Sequence, residues 1–438
     1  MKAILLCGGI GKRMHPIIED KLLLNFLGKS LLEHQIETLV KAGIKEFVIV
    51  CNPFNESMIK SCCKNLKQKI EFAVQKDPKG ISDALLSAKK FLDGEALIVN
   101  PDDYCDVDAY EKIIKENKKN VDSIILGYKV SSYFPGGYVK VNEKNELIEI
   151  VEKPGEGNEP SDMVNIFFHY FKNSSSLIKY LKTTKSNDDD VYEKSISRMV
   201  KDGHKVKIVP YSGTWIAIKY PWNIFELTRL LLDKIKGKKI SKTAKISSKA
   251  TIEGNVVIGD NVRVFENATI RGPCYIGNNS VIGNNSLIWN YSHIGDNCVV
   301  GFSSEIKHSY IANNCWFHSN YIGDSIISNN CSFGAGTVTG NLRFDSGNIK
   351  VNVKGQEVDT KLDKLGAIIG EDSKTGINVS LMPGVKIGPN SIVGPHVTLK
   401  EDLEPNTIIF VKQEYLKKEN TVKAFNKKEE FMRRLLNK

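Results

Sequence analysis

An aliphatic residue recurs at every sixth position between residues 246 and 306, and this repeat restricts the possible fold more than any other feature of the sequence. The residue four places after each of the first ten aliphatic positions is small or compact. A period of six predicts a left-handed hexapeptide-repeat β-helix, in which each coil has three short strands, one inward aliphatic side chain per strand and a small residue at each corner. The residues that keep this register are Ile246, Ile252, Ile258, Val264, Ile270, Ile276, Ile282, Ile288, Ile294, Val300 and Ile306.

The register of the repeat breaks once in this pattern. It slips by one residue between Ile306 and Ile311, directly before the stretch CWFHSNYIGD. A polar segment, residues 336–366, then separates the break from the returning repeat, and long excursions from a solenoid are usually functional or ligand-binding. Taken alone, a histidine such as His318 in this stretch is more often a surface side chain than a catalytic one. The repeat returns at Ile369, Leu381, Ile387, Val393 and Leu399.

The first part of the chain has a different pattern, in which short apolar runs alternate with amphipathic stretches. We predict strands at KAILLCG, KEFVIVCN and EALIVNPDD, and helices at SLLEHQIETLVKAGI and SDALLSAKKFLDG. This order predicts an α/β, Rossmann-like domain with a mostly parallel sheet and helices on both faces. The predicted organisation is therefore an α/β domain over 1–235, a β-helix over 241–411 and a short, basic, helical C-terminal tail over 412–438.

Composition limits the partners that the chain can have. The net charge is +10, but the tail alone carries nine Lys/Arg against four Asp/Glu, so we expect no nucleic-acid partner. No apolar run approaches the roughly 20 residues that a membrane helix needs, so we expect no membrane association. The nine cysteines lack CxxC pairs and framework-like spacing, which favours a reducing cytoplasm and argues against a zinc site.

A glycine-rich turn follows the first predicted strand. It contains Gly8, Gly9 and Gly11, and Lys12 and Arg13 come directly after them. Glycines allow backbone N–H groups to approach phosphate oxygens, and the two cations add positive charge, so the pattern indicates a phosphate site at the end of the strand. The alternative is a glycine-rich turn without a ligand. The pattern is neither the dinucleotide GxGxxG motif nor a P-loop.

Further motifs in the first part strengthen the phosphate interpretation. In order, these are GGIGKR, Lys21, QKDPKGISDAL, VNPDD, GGYVKV, VEKP and VNIFFHYF. Their order resembles that of the sugar-1-phosphate nucleotidyltransferases over residues 1–235. The resemblance implies a Rossmann-like domain that makes a nucleotide sugar and pyrophosphate from a nucleoside triphosphate and a sugar 1-phosphate.

The resemblance also implies roles for individual residues. The loop Gly8, Gly9, Gly11, Lys12 and Arg13 would hold the triphosphate, while Gln75 and Gly80 would face the base. Lys21, together with Arg13, would neutralise charge at the reacting phosphates, and Asp102 would hold Mg²⁺. Gly137, Glu152 and Asn165 would bind the sugar, with Lys153 on its phosphate. In-line attack on a phosphorus needs positioning and charge neutralisation, and no side-chain nucleophile.

This chain departs from the nucleotidyltransferase pattern in one conspicuous place. The family usually has W-x-D-x-G before a proline, whereas this chain has TWIAIKYP. Ala217 therefore replaces a second metal-binding aspartate and Lys219 replaces the glycine. Loss of one carboxylate weakens the hold on a hard cation, although phosphate and water can supply ligands and Asp103 can compensate.

The second part carries its own set of motifs. HSNYIGD, GAGT and a following asparagine resemble the acetyltransferase segment of bifunctional enzymes that acetylate glucosamine 1-phosphate and then uridylylate the product, especially the archaeal type. The resemblance covers residues 244–405. It implies acetyl-CoA as cosubstrate and a homotrimer with acetyl sites between subunits.

In this resemblance His318 would be the general base that removes a proton from the attacking amine, and a neutral imidazole suits that task. Lys307 would contact the sugar phosphate, and Tyr321 and Asn341 would orient the sugar. Ala335 would stabilise the oxyanion through its backbone, with Gly376 and Gly394 lining the coenzyme groove. Two departures are Ser332 in place of a common asparagine and a shorter spacing between Lys307 and His318. His308 is a rival histidine without a comparable motif.

We therefore predict a bifunctional enzyme that acetylates an amino-sugar 1-phosphate and attaches a nucleotide, with UTP as the nucleotide donor. One alternative is a nucleotidyltransferase whose β-helix serves only oligomerisation. The other alternative is a non-catalytic binding subunit, like the nucleotidyltransferase-like subunits of a translation factor that exchanges guanine nucleotides. Ala217 favours this last alternative, whereas the intact GGIGKR and EKP motifs oppose it.

Overall fold

The computed structural model describes residues 1–117, 121–422 and 427–437. The α/β part has a mixed sheet with the strand order Leu147–Glu152, Gly137–Val141, Met163–Phe171, Ala96–Val99, Lys2–Leu6, Glu46–Cys51 and Lys69–Val74. Ser123–Lys129 also pairs with Met163–Phe171, and Val206–Tyr211 extends the sheet from there. The strands up to residue 99 pair in parallel, as predicted, but Met163–Phe171 runs antiparallel to all three of its neighbours. The sheet is therefore mixed: its first half is parallel, and in its second half Val206–Tyr211 and Ser123–Lys129 also pair in parallel.

The helices cover this sheet, and two of them differ in extent from the prediction. The helix Leu31–Lys41 is capped at its N-terminus by Ser30. The Ser30 hydroxyl accepts from the Glu33 backbone N–H, and the Glu33 carboxylate accepts from the Ser30 backbone N–H. The predicted helix at SDALLSAKKFLDG is instead an α-helix followed by a 3₁₀ turn, Lys89–Phe91. The α-helices of this part are Leu31–Lys41, Glu56–Cys63, Ile81–Ser87, Val107–Glu116, Ser175–Thr183, Val191–Lys201 and Asn223–Asp233.

Residues 238–409 form a β-helix with three parallel sheets, here called faces one, two and three. Face one contains Lys238–Ile240, Val256–Ile258, Cys274–Ile276, His293–Ile294, Tyr310–Ile311, Ile326–Ile327, Ile368–Ile369 and Lys386–Ile387. Face two contains Lys245–Ile246, Arg263–Val264, Val281–Ile282, Val299–Val300, Trp316–Phe317, Ser332–Phe333, Lys374–Thr375, Ile392–Val393 and Ile408–Ile409. Face three contains Thr251–Glu253, Thr269–Arg271, Leu287–Ile288, Glu305–Lys307, Tyr321–Gly323, Val338–Thr339, Ser380–Leu381 and Thr398–Leu399.

The inward aliphatic residues of the repeat form one continuous core, as the period of six predicts. Five asparagines at one corner, each with a positive φ, stack into a ladder in which each of the first four donates its amide N–H to the next side chain at 3.0–3.2 Å. Asparagine tolerates this left-handed conformation better than most residues, which explains its use at the corners. The ladder consists of Asn261, Asn279, Asn297, Asn314 and Asn330.

The coils shorten near His318 more than the sequence pattern indicated. Val299 pairs with Trp316, seventeen residues on, but Trp316 pairs with Ser332, only sixteen residues on. The first shortening is the predicted slip before Ile311, and two more lie between Phe317 and Ile322 and between Ile322 and Ile327. The corner that carries His318 is thus one residue tighter than the regular corners.

The long excursion leaves the β-helix after Val338–Thr339 and returns at Ile368–Ile369. It contains a hairpin, Lys350–Val353 paired with Gln356–Asp359, which the sequence analysis did not predict. The Lys361 ammonium donates to the Ser132 hydroxyl at 3.1 Å, so the excursion also contacts the α/β part. In the described part of the tail the helix is restricted to Lys428–Leu436.

A stack of rings joins the two parts of the chain. His293 lies between Tyr275 and Tyr310, with ring centroids 5.0 and 4.8 Å away. The His293 Nε2 accepts from the Leu27 backbone N–H at 3.2 Å, and the Tyr310 hydroxyl donates to the Asn25 carbonyl at 2.8 Å. Leu27 and Asn25 belong to a short hairpin after Lys21, Asn25–Phe26 paired with Lys29–Ser30, which is therefore held directly by the β-helix.

Candidate active sites

The glycine loop after the first strand packs against Gln75. A Cβ added to Gly8 would lie 2.3 Å from the Gln75 Oε1, so any larger residue there would displace the Gln75 amide. The Gln75 amide donates to the Gly80 carbonyl at 3.0 Å and to the Asp83 carboxylate at 2.9 Å. Gly9, in contrast, is exposed and has open space around it. The loop is thus anchored at one glycine and open at the next, with the predicted base-facing residues beside it.

Three cations accompany this loop in different environments. Lys12 is exposed, whereas the Arg13 guanidinium lies 5.6 Å from the centre of the Tyr220 ring. Lys21 forms an ion pair with Asp102, and both side chains are mostly buried. Burial lowers the pKa of Lys21 to about 8, although the nearby Asp103 carboxylate acts in the opposite direction.

The carboxylates beside Lys21 determine how a metal ion could be held. The Asp102 Oδ1 is buried and has no hydrogen-bond partner among the described residues. Asp103 accepts from the Trp215 indole at 3.4 Å and lies opposite Ala217 in an antiparallel pair, Asp103–Cys105 with Trp215–Ala217. Burial raises the pKa of Asp103. One free carboxylate oxygen fits Mg²⁺ only if phosphate and water supply most of its ligands, and within the described ranges no group of three His, Cys, Asp or Glu could hold a metal.

The predicted sugar-binding residues converge around Gly137. A Cβ on Gly137 would lie 2.6 Å from the Asn165 Nδ2 and 3.0 Å from the Glu152 Oε2. The Lys153 ammonium pairs with the Glu152 carboxylate at 2.7 Å. The Lys153 backbone N–H donates to the Gly136 carbonyl at 3.1 Å. These four predicted residues therefore form one cluster, here called the candidate sugar pocket.

Lys219 lies beside this pocket, at a position that the sequence analysis marked only as a departure. Its ammonium donates to the Pro135 carbonyl at 3.0 Å and lies 3.6 Å from the centre of the Phe134 ring. A Cβ on Gly136 would lie 4.0 Å from it. Burial lowers the pKa of Lys219 to about 8, against the effect of the Asp103 carboxylate.

In the β-helix, His318 is the first residue after a strand of face two. The equivalent residues of the neighbouring coils are glycines, and their backbones touch from coil to coil. A Cβ on Gly301 would lie 2.2 Å from the His318 carbonyl oxygen, and a Cβ on Gly334 would lie 2.5 Å from the Gly376 carbonyl. This corner column, as we call it, consists of Gly283, Gly301, His318, Gly334, Gly376 and Gly394.

The corner column brings the predicted acetyl-transfer residues together. Adjacent coils of a β-helix are about 4.8 Å apart, so His318 lies one coil from Ala335, and Gly376 and Gly394 follow on the next two coils. Ala335 is exposed, and in the described residues its backbone N–H donates no hydrogen bond. His318 is exposed as well. The sequence listed these four residues separately, and the fold aligns them along one edge.

Asn320 connects His318 to the next coil, and the sequence analysis missed it. Its side-chain oxygen accepts from the His318 backbone N–H at 2.8 Å. Its amide donates to the Gly334 carbonyl at 2.8 Å and to the Thr337 carbonyl at 3.2 Å. Asn320 is 5% exposed, at a corner position where the repeat predicts a small residue. An asparagine larger than the small residue expected at that corner was the sequence signal that could have identified it.

The other predicted residues lie on face three and at its far corner. The Asn341 amide lies 3.4 Å from the Tyr321 hydroxyl and 2.5 Å from the Asp324 carboxylate. His308 lies 3.5 Å from Asp324, so the rival histidine joins this group. Burial raises the pKa of Tyr321, and the Asp324 carboxylate raises it further.

Lys307 lies on the same face, with its ammonium 5.7 Å from the centre of the Trp289 ring. Among the side-chain contacts of the described residues, none joins the His318 imidazole to Lys307, Tyr321 or Asn341. The amino-sugar residues therefore form a cluster separate from the corner column.

Comparison with known proteins places each half of the chain in a class. Residues 2–224 match the family model for nucleotidyl transferases. Residues 255–288, 273–308 and 366–401 match the model for the bacterial transferase hexapeptide, which comprises six repeats. The chain thus combines a nucleotidyltransferase domain with a hexapeptide-repeat β-helix.

Relatives share this combination over nearly the full chain. The bifunctional protein GlmU of Methanococcus maripaludis is 39% identical over 94% of this chain and 98% of its own length. GlmU of Methanocaldococcus jannaschii is 36% identical over 95% and 99% of the two chains. A bifunctional sugar-1-phosphate nucleotidylyltransferase/acetyltransferase of Sulfurisphaera tokodaii is 35% identical over 92% and 98%. The chain belongs to this family of bifunctional nucleotidyltransferase/acetyltransferase enzymes.

Within the described residues, no helix combines the length and the apolar character that a membrane crossing requires.

Proposed function

We propose that this enzyme makes a nucleotide-activated amino sugar in two steps. The β-helix, over residues 241–411, transfers an acetyl group from acetyl-CoA to glucosamine 1-phosphate. The α/β domain, over residues 1–235, then transfers uridylyl from UTP to N-acetylglucosamine 1-phosphate, giving UDP-N-acetylglucosamine and pyrophosphate. The observation that carries the proposal is the corner column, in which one exposed histidine interrupts a row of glycines next to a free backbone N–H.

In the acetyl step the sugar amine attacks the thioester carbonyl of acetyl-CoA, and CoA leaves as a thiol. His318 removes the proton that the amine loses on attack, because a neutral imidazole accepts protons near neutral pH. The Ala335 N–H donates to the oxyanion of the tetrahedral intermediate, and its lack of another acceptor supports this role. Gly376 and Gly394 line the coenzyme groove farther along the column, and both are packed against neighbouring residues, because a Cβ on Gly376 would lie 2.6 Å from the Pro395 nitrogen and one on Gly394 would lie 2.4 Å from the Phe410 ring.

The amino-sugar phosphate binds on face three. Lys307 supplies the positive charge for the phosphate, and Tyr321 and Asn341 orient the sugar. The hydrogen bonds around Asn341 support this assignment, because Asp324 fixes the direction in which the Asn341 amide points. The bound glucosamine 1-phosphate then extends from this cluster towards His318.

In the nucleotidyl step a phosphate oxygen of the sugar 1-phosphate attacks the α-phosphorus of UTP, and pyrophosphate leaves. Arg13 and Lys21 neutralise charge that develops on the phosphates. Gly8, Gly9, Gly11 and Lys12 hold the triphosphate, with Gln75 and Gly80 at the base.

Gly137, Glu152 and Asn165 bind the sugar of the nucleotidyl step, and Lys153 binds its phosphate. Their convergence in the candidate sugar pocket supports these roles. Mg²⁺ would supply further charge neutralisation when bound, and Asp102, with its unpartnered oxygen, is the residue that would hold it.

We further propose a homotrimer formed through the β-helix and a cytoplasmic location. Leu342 and Phe344 of the excursion are exposed apolar side chains, which supports association with a second copy. All nine cysteines are free thiols, which supports a reducing compartment. Light scattering on the purified protein measures the oligomer directly, and a monomer would contradict the first of these two proposals.

A paired assay tests the two activities. Glucosamine 1-phosphate with acetyl-CoA is expected to release free CoA, and N-acetylglucosamine 1-phosphate with UTP and Mg²⁺ is expected to release pyrophosphate. Release of pyrophosphate without CoA from any amino-sugar 1-phosphate would reduce the β-helix to an oligomerisation module. Absence of both products with every nucleotide would leave only a binding role.

A further inference from the structure

Lys219 has a charge environment that the proposed roles leave unexplained. Its ammonium has three N–H donors, and the described contacts use one of them, to the Pro135 carbonyl, besides the contact with the Phe134 ring. Among the described residues Lys219 forms no ion pair, although its side chain is partly buried. The Asp103 and Glu152 carboxylates act on Lys219 without forming an ion pair with it, so a ligand that supplies negative charge would further stabilise this partly buried cation.

The surroundings of Lys219 identify the class of that ligand. Phe134 and Pro135 lead into Gly136 and Gly137, and Gly137 belongs to the candidate sugar pocket. The Asp103 carboxylate is the strongest charge acting on Lys219, followed by Arg13, Glu152 and Lys153. The three cations outnumber these two carboxylates by one, and the phosphate of a sugar 1-phosphate is an anionic group that would balance this excess.

The strand before Lys219 adds a second observation. Ala217 lies opposite Asp103, so this strand brings no carboxylate to the proposed metal position. Lys219, two residues after Ala217, instead brings an ammonium whose positive charge acts on Asp103.

We propose that the Lys219 ammonium is a phosphate-binding group of the nucleotidyl-transfer site, which contacts the phosphate of the sugar 1-phosphate and supplies part of the positive charge otherwise provided by a divalent ion. The proposal rests on the proposed nucleotidyl transfer for the identity of the sugar phosphate. It assigns a substrate-binding role to a position at which the family has glycine.

A binding experiment in EDTA tests this role without turnover. The probes are N-acetylglucosamine 1-phosphate, N-acetylglucosamine and inorganic phosphate, with dissociation constants measured by calorimetry or by NMR line broadening. Lys219→Met keeps the side-chain length and removes the charge. A hydrogen bond to a charged group contributes about 1.5–3 kcal/mol, so Lys219→Met is expected to weaken binding of the sugar phosphate about 10- to 100-fold. Binding of N-acetylglucosamine is expected to change less than about 3-fold.

Two further variants separate charge from loop support. Lys219→Arg keeps the charge and is expected to bind the sugar phosphate within about 10-fold of the wild type. Lys129→Met is the control, because Lys129 is an exposed lysine paired with Asp162 at 3.1 Å and lies outside the pocket. If Lys219 only supports the loop around Pro135, Lys219→Met will weaken the sugar and the sugar phosphate equally, and this result would overturn the proposal.

A metal-binding measurement completes the test. Ala217→Asp combined with Lys219→Gly is expected to bind Mn²⁺ at least about 10-fold more tightly than the wild type, as measured by EPR without nucleotide. Failure of the wild type to bind N-acetylglucosamine 1-phosphate, with inorganic phosphate still bound in a Lys219-dependent way, would refute the proposed sugar and leave the role of Lys219 standing. Equal affinity of wild type and Lys219→Met for both phosphate compounds would refute the role of Lys219.

Discussion

The two candidate sites are built in opposite ways. The nucleotidyl site collects residues that are distant in the chain, since Gln75 packs on Gly8 and Lys21 pairs with Asp102. The acetyl site aligns residues that occupy equivalent positions in successive coils, as the corner column does. A repeat therefore places a site through its period, whereas the α/β domain places one through long-range packing. The predictions below either separate the two sites or test the contacts that connect them.

The largest expected effect is loss of the acetyl step on removal of His318. General acid–base catalysis contributes about 10²- to 10⁴-fold, so His318→Ala is expected to lower CoA release about 10³-fold. Pyrophosphate release is expected to stay near the wild-type rate, because the two sites share no residue. His308→Ala is the matched control, and an equal loss in that variant would transfer the role of base to the rival histidine.

The next effect is loss of the nucleotidyl step on removal of Lys21. Lys21→Met removes a cation from the reacting phosphates and leaves Asp102 unpaired, so kcat/KM for pyrophosphate release is expected to fall about 10²-fold. Lys12→Met removes an exposed lysine from the same loop and is expected to cost less than about 10-fold. Similar losses of kcat/KM in Lys21→Met and Lys12→Met would show that the buried position of Lys21 gives it no special role in nucleotidyl transfer. CoA release serves as the internal reference.

A smaller effect is expected at Asn320, which ties His318 to the neighbouring coil. Asn320→Ala removes the partner of the His318 N–H and the side-chain donor to the Thr337 carbonyl, while the Gly334 carbonyl still accepts from the Thr337 N–H, and an unsatisfied buried group costs about 1–3 kcal/mol. The midpoint of thermal unfolding is expected to fall, and kcat for CoA release is expected to fall while pyrophosphate release is retained. Ser319→Ala, at the exposed neighbour, is expected to be neutral. If Asn320→Ala is as stable as the wild type and keeps full acetyl transfer, Asn320 is not needed to hold His318 in position.

The smallest effect concerns the contact between the two parts of the chain. The Glu19 carboxyl accepts from the Asn329 amide at 3.2 Å, and burial raises the pKa of Glu19 to about 7, with further raising by the Glu371 and Asp20 carboxylates. In the unfolded chain its pKa is about 4.3. The folded state binds the Glu19 proton more tightly than the unfolded chain does. The stabilisation that this proton contributes is therefore fully present below about pH 4 and is lost as the pH rises through about 7.

Glu19→Gln remains neutral at every pH and removes this dependence. The wild type is expected to lose about 1–2 kcal/mol of stability relative to Glu19→Gln between pH 5 and pH 8, which thermal unfolding at the two pH values measures. Asn329→Ala, which removes the amide partner, is the companion variant. If the difference in stability between the wild type and Glu19→Gln is the same at pH 5 and at pH 8, the raised pKa of Glu19 is contradicted.

The β-helix was predictable because its period is local. Each inward aliphatic residue follows the last by six positions, so the pattern alone predicts which side chains form the core. The first shortening of the coil was visible as a slip in the same pattern. The second and third shortenings, between Phe317 and Ile322 and between Ile322 and Ile327, were not apparent from the sequence. Several apolar residues lie close together there, so the pattern does not show which of them point inward.

The α/β domain was predictable in its order of elements but not in the second half of its sheet. Strands up to residue 99 alternate with helices, and that order indicates parallel pairing. Met163–Phe171 pairs antiparallel with three strands, and no local signal states which strands a long apolar run will contact. For the same reason the sequence marked Lys219 as a departure without indicating that its ammonium lies at the Pro135 carbonyl, beside the candidate sugar pocket.

The sequence by itself determined the two-part organisation, the core of the β-helix and the residue types available for each reaction, because repeat period, alternation and motif order are properties of neighbours along the chain. Only the tertiary structure decided the distances between those residues. It stacked His318 on Gly334 next to Ala335, linked His318 to the Gly334 carbonyl through Asn320, put Lys219 beside Gly136 and docked the hairpin after Lys21 on His293. These contacts join residues far apart in the chain, and the packing that makes them depends on the whole fold.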